Sequence, residues 1–233
     1  ARAAAGALAE QVLRYFLPSL KVVAFVDSVK GLPLVERPQE KLLTRSYVEQ
    51  SPIRSLIKDS HHKDFLEIIR SAKAEGNTVG GTIFCLISGV PGGLGEPIFD
   101  KLQADLAKGI MSLPACRGFE MGEGFRSTHM LGSEHNDSFI IEKGKIRTSS
   151  NHSGGIQAGI SNGEPMWFRT PFKPVSTLAR EQSTVNHLGQ KVTYTPQQGR
   201  HDPCVLPRAV PLVESMTLVV LLDHYLRQKA LCV

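Results

Sequence analysis

At residues 82–95 the sequence is TIFCLISGVPGGLG, an apolar run that passes directly into a cluster of glycines. Its first half predicts a buried strand over 82–88. A helix is expected from about Ile98 to Leu113, because Pro97 suits a first turn and apolar side chains recur on one face: Phe99, Leu102, Leu106, Ile110 and Leu113. The turn between them, 89–95, either binds a phosphate through backbone N–H groups or is a tight structural turn. It matches neither G-x-G-x-x-G nor G-x-x-x-x-G-K-[ST], which favours the structural turn.

Further elements flank this centre on both sides. The β-branched run 22–26 predicts a strand, and apolar residues at helical spacing predict a helix that ends near Gly76. The chain opens with a helical pattern through Leu8, Val12 and Tyr15, and a last long helix is expected to start near Pro211. Helices and strands do not alternate regularly, which favours an α+β fold over a doubly wound sheet. No repeat or low-complexity tract divides the chain, so 1–233 is expected to be one unit.

Composition and charge exclude several classes of protein. The 233 residues carry 27 Lys and Arg against 22 Asp and Glu, a formal charge of +5. No dense basic run or interleaved aromatics are present, so nucleic acid is not the expected partner. The apolar run 218–222 stops at Asp223, which predicts no membrane span. The four cysteines show no zinc or Cys-x-x-Cys spacing and the histidines no metal-ligand spacing, so we expect no metal and a cytoplasmic protein with free thiols.

The segment 173–177, Lys-Pro-Val-Ser-Thr, places one cation, two hydroxyls and several backbone donors within five residues. Such a composition suits a phosphate group or a ribityl chain. An ordinary loop with a proline turn has the same composition, and both interpretations stay open at this point.

The segment 199–204 contains Arg200, His201 and Asp202 side by side. These are a guanidinium for anions, an imidazole and a carboxylate. In an extended segment Arg200 and Asp202 face the same side, so both would reach one pocket while His201 turns aside. The alternative is a structural ion pair between Arg200 and Asp202.

Seven short motifs occur along the chain in an order that resembles chorismate synthase. They are GGT at 80–82, GVPGGLGEP at 89–97, PACRGFE at 114–120, GGI at 154–156, ISNG at 160–163, KP at 173–174 and GRHDP at 199–203. Each is weak alone, but the ordered set is specific. The resemblance covers essentially the whole chain and looks closest to the fungal and protozoan branch of the family.

The resemblance implies a lyase that converts 5-enolpyruvylshikimate-3-phosphate to chorismate and phosphate in aromatic amino acid biosynthesis. It implies reduced FMN as the cofactor, although the reaction has no net redox change, and a homotetramer. The implied fold is a β-α-β sandwich with antiparallel sheets flanking central helices.

The same resemblance implies the site residues. Flavin contacts fall on Pro114, Ala115, Ala158, Lys173, Pro174, Val175, Ser176, Thr177 and Arg200. Many family members have Asn in place of Pro114 and Gly in place of Ala158, and proline removes one N–H donor. Arg200 is the matched cation for the leaving phosphate, and Asp202 matches the family carboxylate next to the flavin N5. Arg200 and Asp202 are therefore the expected catalytic residues.

The family's G-E-S-H-G segment, its arginine-rich segment and its two proton-transfer histidines have no counterpart in this sequence. We therefore expect a chain that lacks the N-terminal part of the family. This leaves an alternative, a flavin-binding or assembly module without catalysis, beside the lyase.

Overall fold

The computed structural model describes residues 1–35, 43–196 and 201–231. Its helices are α1 (Arg2–Phe16), α2 (Arg45–Val48), α3 (His62–Ala74), α4 (Leu102–Met111), α5 (Gly132–His135) and α6 (Leu206–Leu231), with a 3₁₀ helix at Gly124–His129. Its strands are β1 (Lys21–Val29), β2 (Leu32–Pro33), β3 (Gly81–Ser88), β4 (Glu120–Met121), β5 (Phe139–Glu142), β6 (Lys145–Thr148), β7 (Ile156–Gln157), β8 (Ile160–Ser161), β9 (Met166–Phe172), β10 (Gln182–Val185) and β11 (Lys191–Tyr194).

Five strands form the main sheet, in the order β2-β1-β3-β9-β4. Within the described residues every pairing of named strands is antiparallel, and three two-stranded ribbons, β5-β6, β7-β8 and β10-β11, stand apart from the sheet. The α+β class is confirmed. The sandwich of two sheets around central helices is not confirmed, and the single unit over 1–233 stays a prediction.

The strand expected at 22–26 is the middle of β1, and both of its faces are buried. Val22, Ala24 and Val26 belong to the large core that also contains residues of α1, α4 and α6. Val23 and Phe25 point to the other face, into a smaller apolar cluster with Trp167. Since strand side chains alternate between faces, a continuous apolar run is what a strand covered on both sides needs.

The first helix is confirmed, but the expected apolar side chains do not form its core face. Leu8 is 63% exposed and Tyr15 is 81% exposed, whereas Gly6, Ala9 and Leu13 are buried. A Cβ added to Gly6 would lie 2.4 Å from the Cβ of Ser215 on α6. The two helices therefore approach so closely at Gly6 that a side chain has no room there.

Helix α6 begins five residues before Pro211, so the expected start of this helix is wrong. Proline inside a helix leaves the carbonyl four residues earlier without its N–H partner. Here the Nη1 of Arg54 donates to that carbonyl, the O of Pro207. A side chain distant in sequence therefore satisfies the group that Pro211 cannot, and the helix continues through the proline.

Helix α6 is long and apolar enough, by length and composition, to span a membrane. Its buried residues pack in the core and include polar side chains such as Glu214 and His224. Glu214 accepts the N–H of Ala24 on β1, and His224 lies 2.9 Å from Asp105 on α4. These contacts are those of a core helix in a folded protein.

Helix α4 is shorter than expected at its start. Phe99 is 86% exposed and Ile98 is 71% exposed, and both precede the helix. Leu102, Leu106 and Ile110 are buried on the predicted face. Ile98 has a φ of 65°, a left-handed conformation that a helix cannot contain, so α4 begins about one turn after the expected start.

Candidate functional site

Residues 76–80, between α3 and β3, form what we call the central strip. One edge of this strip holds the segment that precedes α6. The Val79 N–H donates to the O of Pro203 at 2.8 Å, and Val79 forms a parallel bridge with Cys204. The strip thereby fixes the position of Asp202, one of the two expected catalytic residues.

The opposite edge of the central strip holds the loop 173–179. The Thr78 Oγ1 donates to the O of Val175 at 2.6 Å, and the Ala179 N–H donates to the O of Gly76 at 2.9 Å. A Cβ on Gly80 would lie 2.3 Å from the O of Phe172, so only glycine permits this approach of the two backbones. The strip therefore places the predicted flavin loop beside the segment that carries Asp202.

The predicted contacts after α4 reach the same place. The Lys173 N–H donates to the O of Ala115 at 2.9 Å, and Cys116 bridges Phe172 in antiparallel fashion. Ala115 has a φ of 67°, a left-handed conformation that turns the chain from α4 onto β9. Residues 114–115 and the loop 173–177 are therefore neighbours, as the resemblance implies.

A cleft of about 540 Å³ opens between these three segments. Its wall is formed by Leu113, Pro114, Phe172, Val175, Thr177, His201, Asp202, Val205, Arg208, Ala209 and Leu212. Four of these residues are predicted site residues from three distant parts of the sequence: Pro114, Val175, Thr177 and Asp202. Lys173, Pro174 and Ser176 are exposed on the loop that borders the cleft.

Asp202 pairs with Arg208 in the first turn of α6. Arg200, the other expected catalytic residue and flavin contact, lies outside the described residues, so its predicted place in the pocket stays a prediction. Arg208 is not among the site residues predicted from the sequence. The sequence offered no signal for this pair, because Arg208 lies near Asp202 only when α6 starts at Leu206, and the expected start was Pro211.

His201 does not turn aside from the pocket, as the alternation of an extended strand predicted. Both His201 and Asp202 line the cleft. Residues 201 and 202 have no regular secondary structure and Pro203 lies in a bend, so the two-residue period of a strand does not apply to them. The sequence signal against a strand here is Pro203, which has no N–H to donate to a neighbouring strand.

Ala158 lies away from the cleft, in the turn of the β7-β8 ribbon with a φ of 53°. The next residue, Gly159, accepts the N–H of Leu102 at the start of α4. Pro114 follows the other end of α4, and a ten-residue helix is about 15 Å long. The structure therefore does not bring Ala158 together with Pro114, Val175 and Thr177 within one chain.

The glycine-rich turn 89–95 is used for packing. Its Gly93 and Leu94 N–H groups donate to the O and the Oγ of Ser161, at 2.8 and 2.9 Å. The Oγ of Ser161 in turn donates to the O of Pro91. These amides are therefore engaged with β8, which supports the structural turn and not the phosphate site.

The thiols near the cleft are buried. Burial raises the pKa of Cys204 to about 11, and the thiol of Cys116 lies 3.1 Å from the Oγ1 of Thr170. Cys85 is buried as well, and all three are free. In the described ranges no three His, Cys, Asp or Glu side chains are grouped as a metal site.

A family model described as chorismate synthase matches residues 1–226. The chain is 52% identical to the chorismate synthase of Methylacidiphilum infernorum and 48% identical to that of Gloeothece citriformis, over 99% of its length in both alignments. It covers 62% and 63% of those two proteins. Both relatives are bacterial, so the expected likeness to the fungal and protozoan branch is not confirmed.

A solved structure titled as a crystal structure of chorismate synthase aligns with a TM-score of 0.79 and 27% identity. The alignment covers 97% of this chain and 62% of that one. The chain thus spans a little over three fifths of the length of the relatives it matches. On the match of the family model and on these identities, the chain belongs to the chorismate synthase family.

Proposed function

We propose that the protein is a lyase that converts 5-enolpyruvylshikimate-3-phosphate to chorismate and phosphate with reduced FMN. One observation carries the proposal beyond family membership. Pro114, Val175, Thr177 and Asp202, which the sequence resemblance selects separately, line one cleft. Residues chosen for a shared ligand and found on a shared wall support a binding site for that ligand.

The chemistry of the cleft fits a flavin. Apolar side chains such as Leu113, Phe172 and Leu212 line it beside Asp202 and Thr177. A flat aromatic ring with a polar, phosphate-bearing tail needs this combination of an apolar wall and a few polar groups. The exposed Lys173 at the border of the cleft supplies a cation for the phosphate.

Bound reduced FMN supplies electron density to the substrate while phosphate departs. The chain supplies the rest of the chemistry. The anti 1,4-elimination breaks the bond from C3 to the phosphate oxygen and removes a hydrogen from C6. The negative charge of the departing phosphate must therefore be stabilised, and a group must hold the proton taken from C6. In our proposal a carboxylate oxygen of Asp202 holds that proton, and Arg208 orients this carboxylate. Arg200 and Lys173 are proposed to stabilise negative charge on the departing phosphate and on the cofactor.

We also propose that the protein assembles as a homotetramer, has the sandwich fold of the family and is located in the cytoplasm. A flavin contact by Ala158 fits a tetramer better than a single chain, because Ala158 lies at the far end of α4 from the cleft. The alternative, a flavin-binding or assembly module without catalysis, is not favoured, because identity near 50% extends over 99% of the chain. Nucleic acid and membranes are not among the proposed partners.

The test is Asp202→Asn, with Asp223→Asn as its control. Asp223 pairs with Arg227 near the far end of α6 and is exposed, so it is a second aspartate in an ion pair with an arginine. With the flavin kept reduced, we expect Asp202→Asn to lower the rate of chorismate formation by roughly 10²–10⁴-fold, as for a lost acid–base group. FMN binding and the far-UV circular dichroism spectrum should be unchanged in both variants.

Two outcomes would count against the proposal. If the unmodified protein binds FMN but forms no chorismate, the module without catalysis is the better account. If Asp202→Asn turns over at the rate of the unmodified protein, the carboxylate has no catalytic role, and its pair with Arg208 is structural.

A further inference from the structure

A second cavity, of about 360 Å³, adjoins the cleft. It is lined by Lys73, Gly76, Asn77, Thr78, Thr177, Ala179, His201 and Pro203. Two of these residues, Thr177 and His201, also line the cleft. We call the place where both residues stand the neck, because any ligand that extends from one cavity into the other passes between them.

Both cavities have walls of polar and apolar groups, and they differ in the size of their apolar side chains. Leu113, Phe172 and Leu212 stand on the wall of the cleft, whereas the described lining residues of the smaller cavity include no large apolar side chain and carry the cation Lys73. An aromatic ring is stabilised in the first and an oxygen-rich chain in the second. A ligand with both parts would therefore lie with its ring in the cleft and its chain through the neck.

The His201 ring has one buried and unpartnered nitrogen. Its Nδ1 is inaccessible to solvent and has no hydrogen-bond partner in the part of the chain that the structure describes. A neutral imidazole carries one N–H donor and one acceptor. A buried N–H without a partner is rarer in native proteins than a buried acceptor without one. Nδ1 is therefore the position for the lone pair, and Nε2 is the position for the proton.

We propose that His201 donates a hydrogen bond from Nε2 to an oxygen of the ligand's phosphate-bearing chain where that chain crosses the neck. This inference rests on the proposed function, because the ligand is taken to be FMN. Thr177 stands at the same neck with a hydroxyl, so the crossing chain meets two donors. His201 acts here as a binding and positioning residue, distinct from the proton chemistry given to Asp202.

The first experiment measures the tautomer directly, without any ligand. A long-range ¹H–¹⁵N spectrum of ¹⁵N-labelled protein at near-neutral pH distinguishes the two neutral tautomers and the charged ring. The His201 signals are assigned as those missing from the spectrum of His201→Gln. We expect the Nε2–H form. An Nδ1–H form or a charged ring would overturn the proposal.

The second experiment measures flavin affinity with FMN and lumiflavin as probes, the latter having the ring but no phosphate-bearing chain. The amide nitrogen of glutamine takes the place of Nε2 and that of asparagine the place of Nδ1. His201→Gln should therefore bind FMN within about threefold of the unmodified protein, and His201→Asn should bind it roughly tenfold more weakly. Both variants should bind lumiflavin equally well, which also shows that both are folded.

The remaining outcomes each overturn the proposal at a different step. Equal loss of FMN affinity in both variants would exclude the Nε2 donor, and unchanged affinity in both would exclude any contact. A loss by His201→Asn that is the same for lumiflavin would place the contact on the ring. If the unmodified protein binds no FMN, the proposed function fails together with this inference.

Discussion

The two ends of α4 differ in glycine content and in what their backbones do. At the glycine end, residues 89–97 pack on the β7-β8 ribbon, and Gly93, Leu94 and Ser161 exchange hydrogen bonds. At the cleft end, residues 113–117 meet the loop 173–177, and a cleft of about 540 Å³ stays open beside them. The end with more glycine is therefore the more closely packed one. Glycine at the first end permits contact between backbones, whereas ligand-binding capacity lies at the end with exposed side-chain donors.

The largest effect should come from a methyl group at the glycine end. Gly95 has a φ of +120°, and a Cβ there would lie 2.3 Å from the O of Gly159. We expect Gly95→Ala to lower the free energy of unfolding by about 3 kcal/mol, because strain and a clash add. Gly92→Ala is the matched control, since its Cβ would have no neighbour closer than 3.5 Å. Urea denaturation of both variants measures the difference, and equal stability would show that the glycine end is loosely packed.

The next largest effect is expected at the cleft end, where a substitution should change FMN affinity without changing protein stability. Lys173→Ala removes an exposed cation from the loop, so protein stability should change little. FMN affinity should fall roughly tenfold to a hundredfold, the range for a lost hydrogen bond to a charged group. Lys191→Ala, an exposed lysine on β11, is the control. A flavin fluorescence titration in which the two variants behave alike would remove Lys173 from the site.

Much of this comparison could be predicted from the sequence. The structure contains the strands expected at 22–26 and 82–88 and the helix expected before Gly76. These elements could be predicted because the spacing of apolar residues within each segment indicates its secondary structure. The placement of Pro114, Val175 and Asp202 in one site was predicted from the resemblance carried by the motifs, and not from the spacing of residues along the chain.

What could not be predicted depends on partners that are distant in sequence. The core face of α1 consists of Gly6, Ala9 and Leu13 because α6 packs closely against it. The sequence of residues 2–16 alone does not indicate this close packing. Helix α6 continues through Pro211 because Arg54 supplies a donor from another part of the chain. His201 lines the cleft because its segment bends, which a strand period cannot show.

A smaller effect tests whether the central strip organises the cleft end. Thr78→Val removes the 2.6 Å hydrogen bond from Oγ1 to the O of Val175. Thr148→Val is a close match, because its Oγ1 donates at 2.6 Å to the O of Ser150 in a region remote from the cleft. Each should cost about 1 kcal/mol of stability, the usual net value of one such bond.

Only Thr78→Val should also weaken FMN binding, roughly threefold to tenfold, because the loop 173–177 loses its anchor. Stability from urea denaturation and affinity from fluorescence separate the two effects. If both variants keep full affinity, the strip is a structural element and the loop is positioned by its other contacts, such as that of Lys173 to Ala115.

The smallest effect at neutral pH, and a distinctive one at alkaline pH, is expected from Cys204 on the edge of the central strip. Burial raises the pKa of its thiol from an ordinary value of 9.0 to about 11. The folded state therefore keeps the proton where the unfolded state has lost it. This contribution to stability is complete below pH 9.0 and is lost as the pH rises towards about 11. At one pH unit above the ordinary value the loss amounts to about 1 kcal/mol.

Cys204→Ser lacks this titration, so its free energy of unfolding should fall less steeply between pH 9.0 and about 11 than that of the unmodified protein. Its FMN affinity at neutral pH should stay within about twofold of the unmodified protein, because the protonated thiol has no role in binding. Parallel slopes in the two proteins would show that the thiol is accessible to water, and that the edge of the strip next to Asp202 is less closely packed than the glycine end.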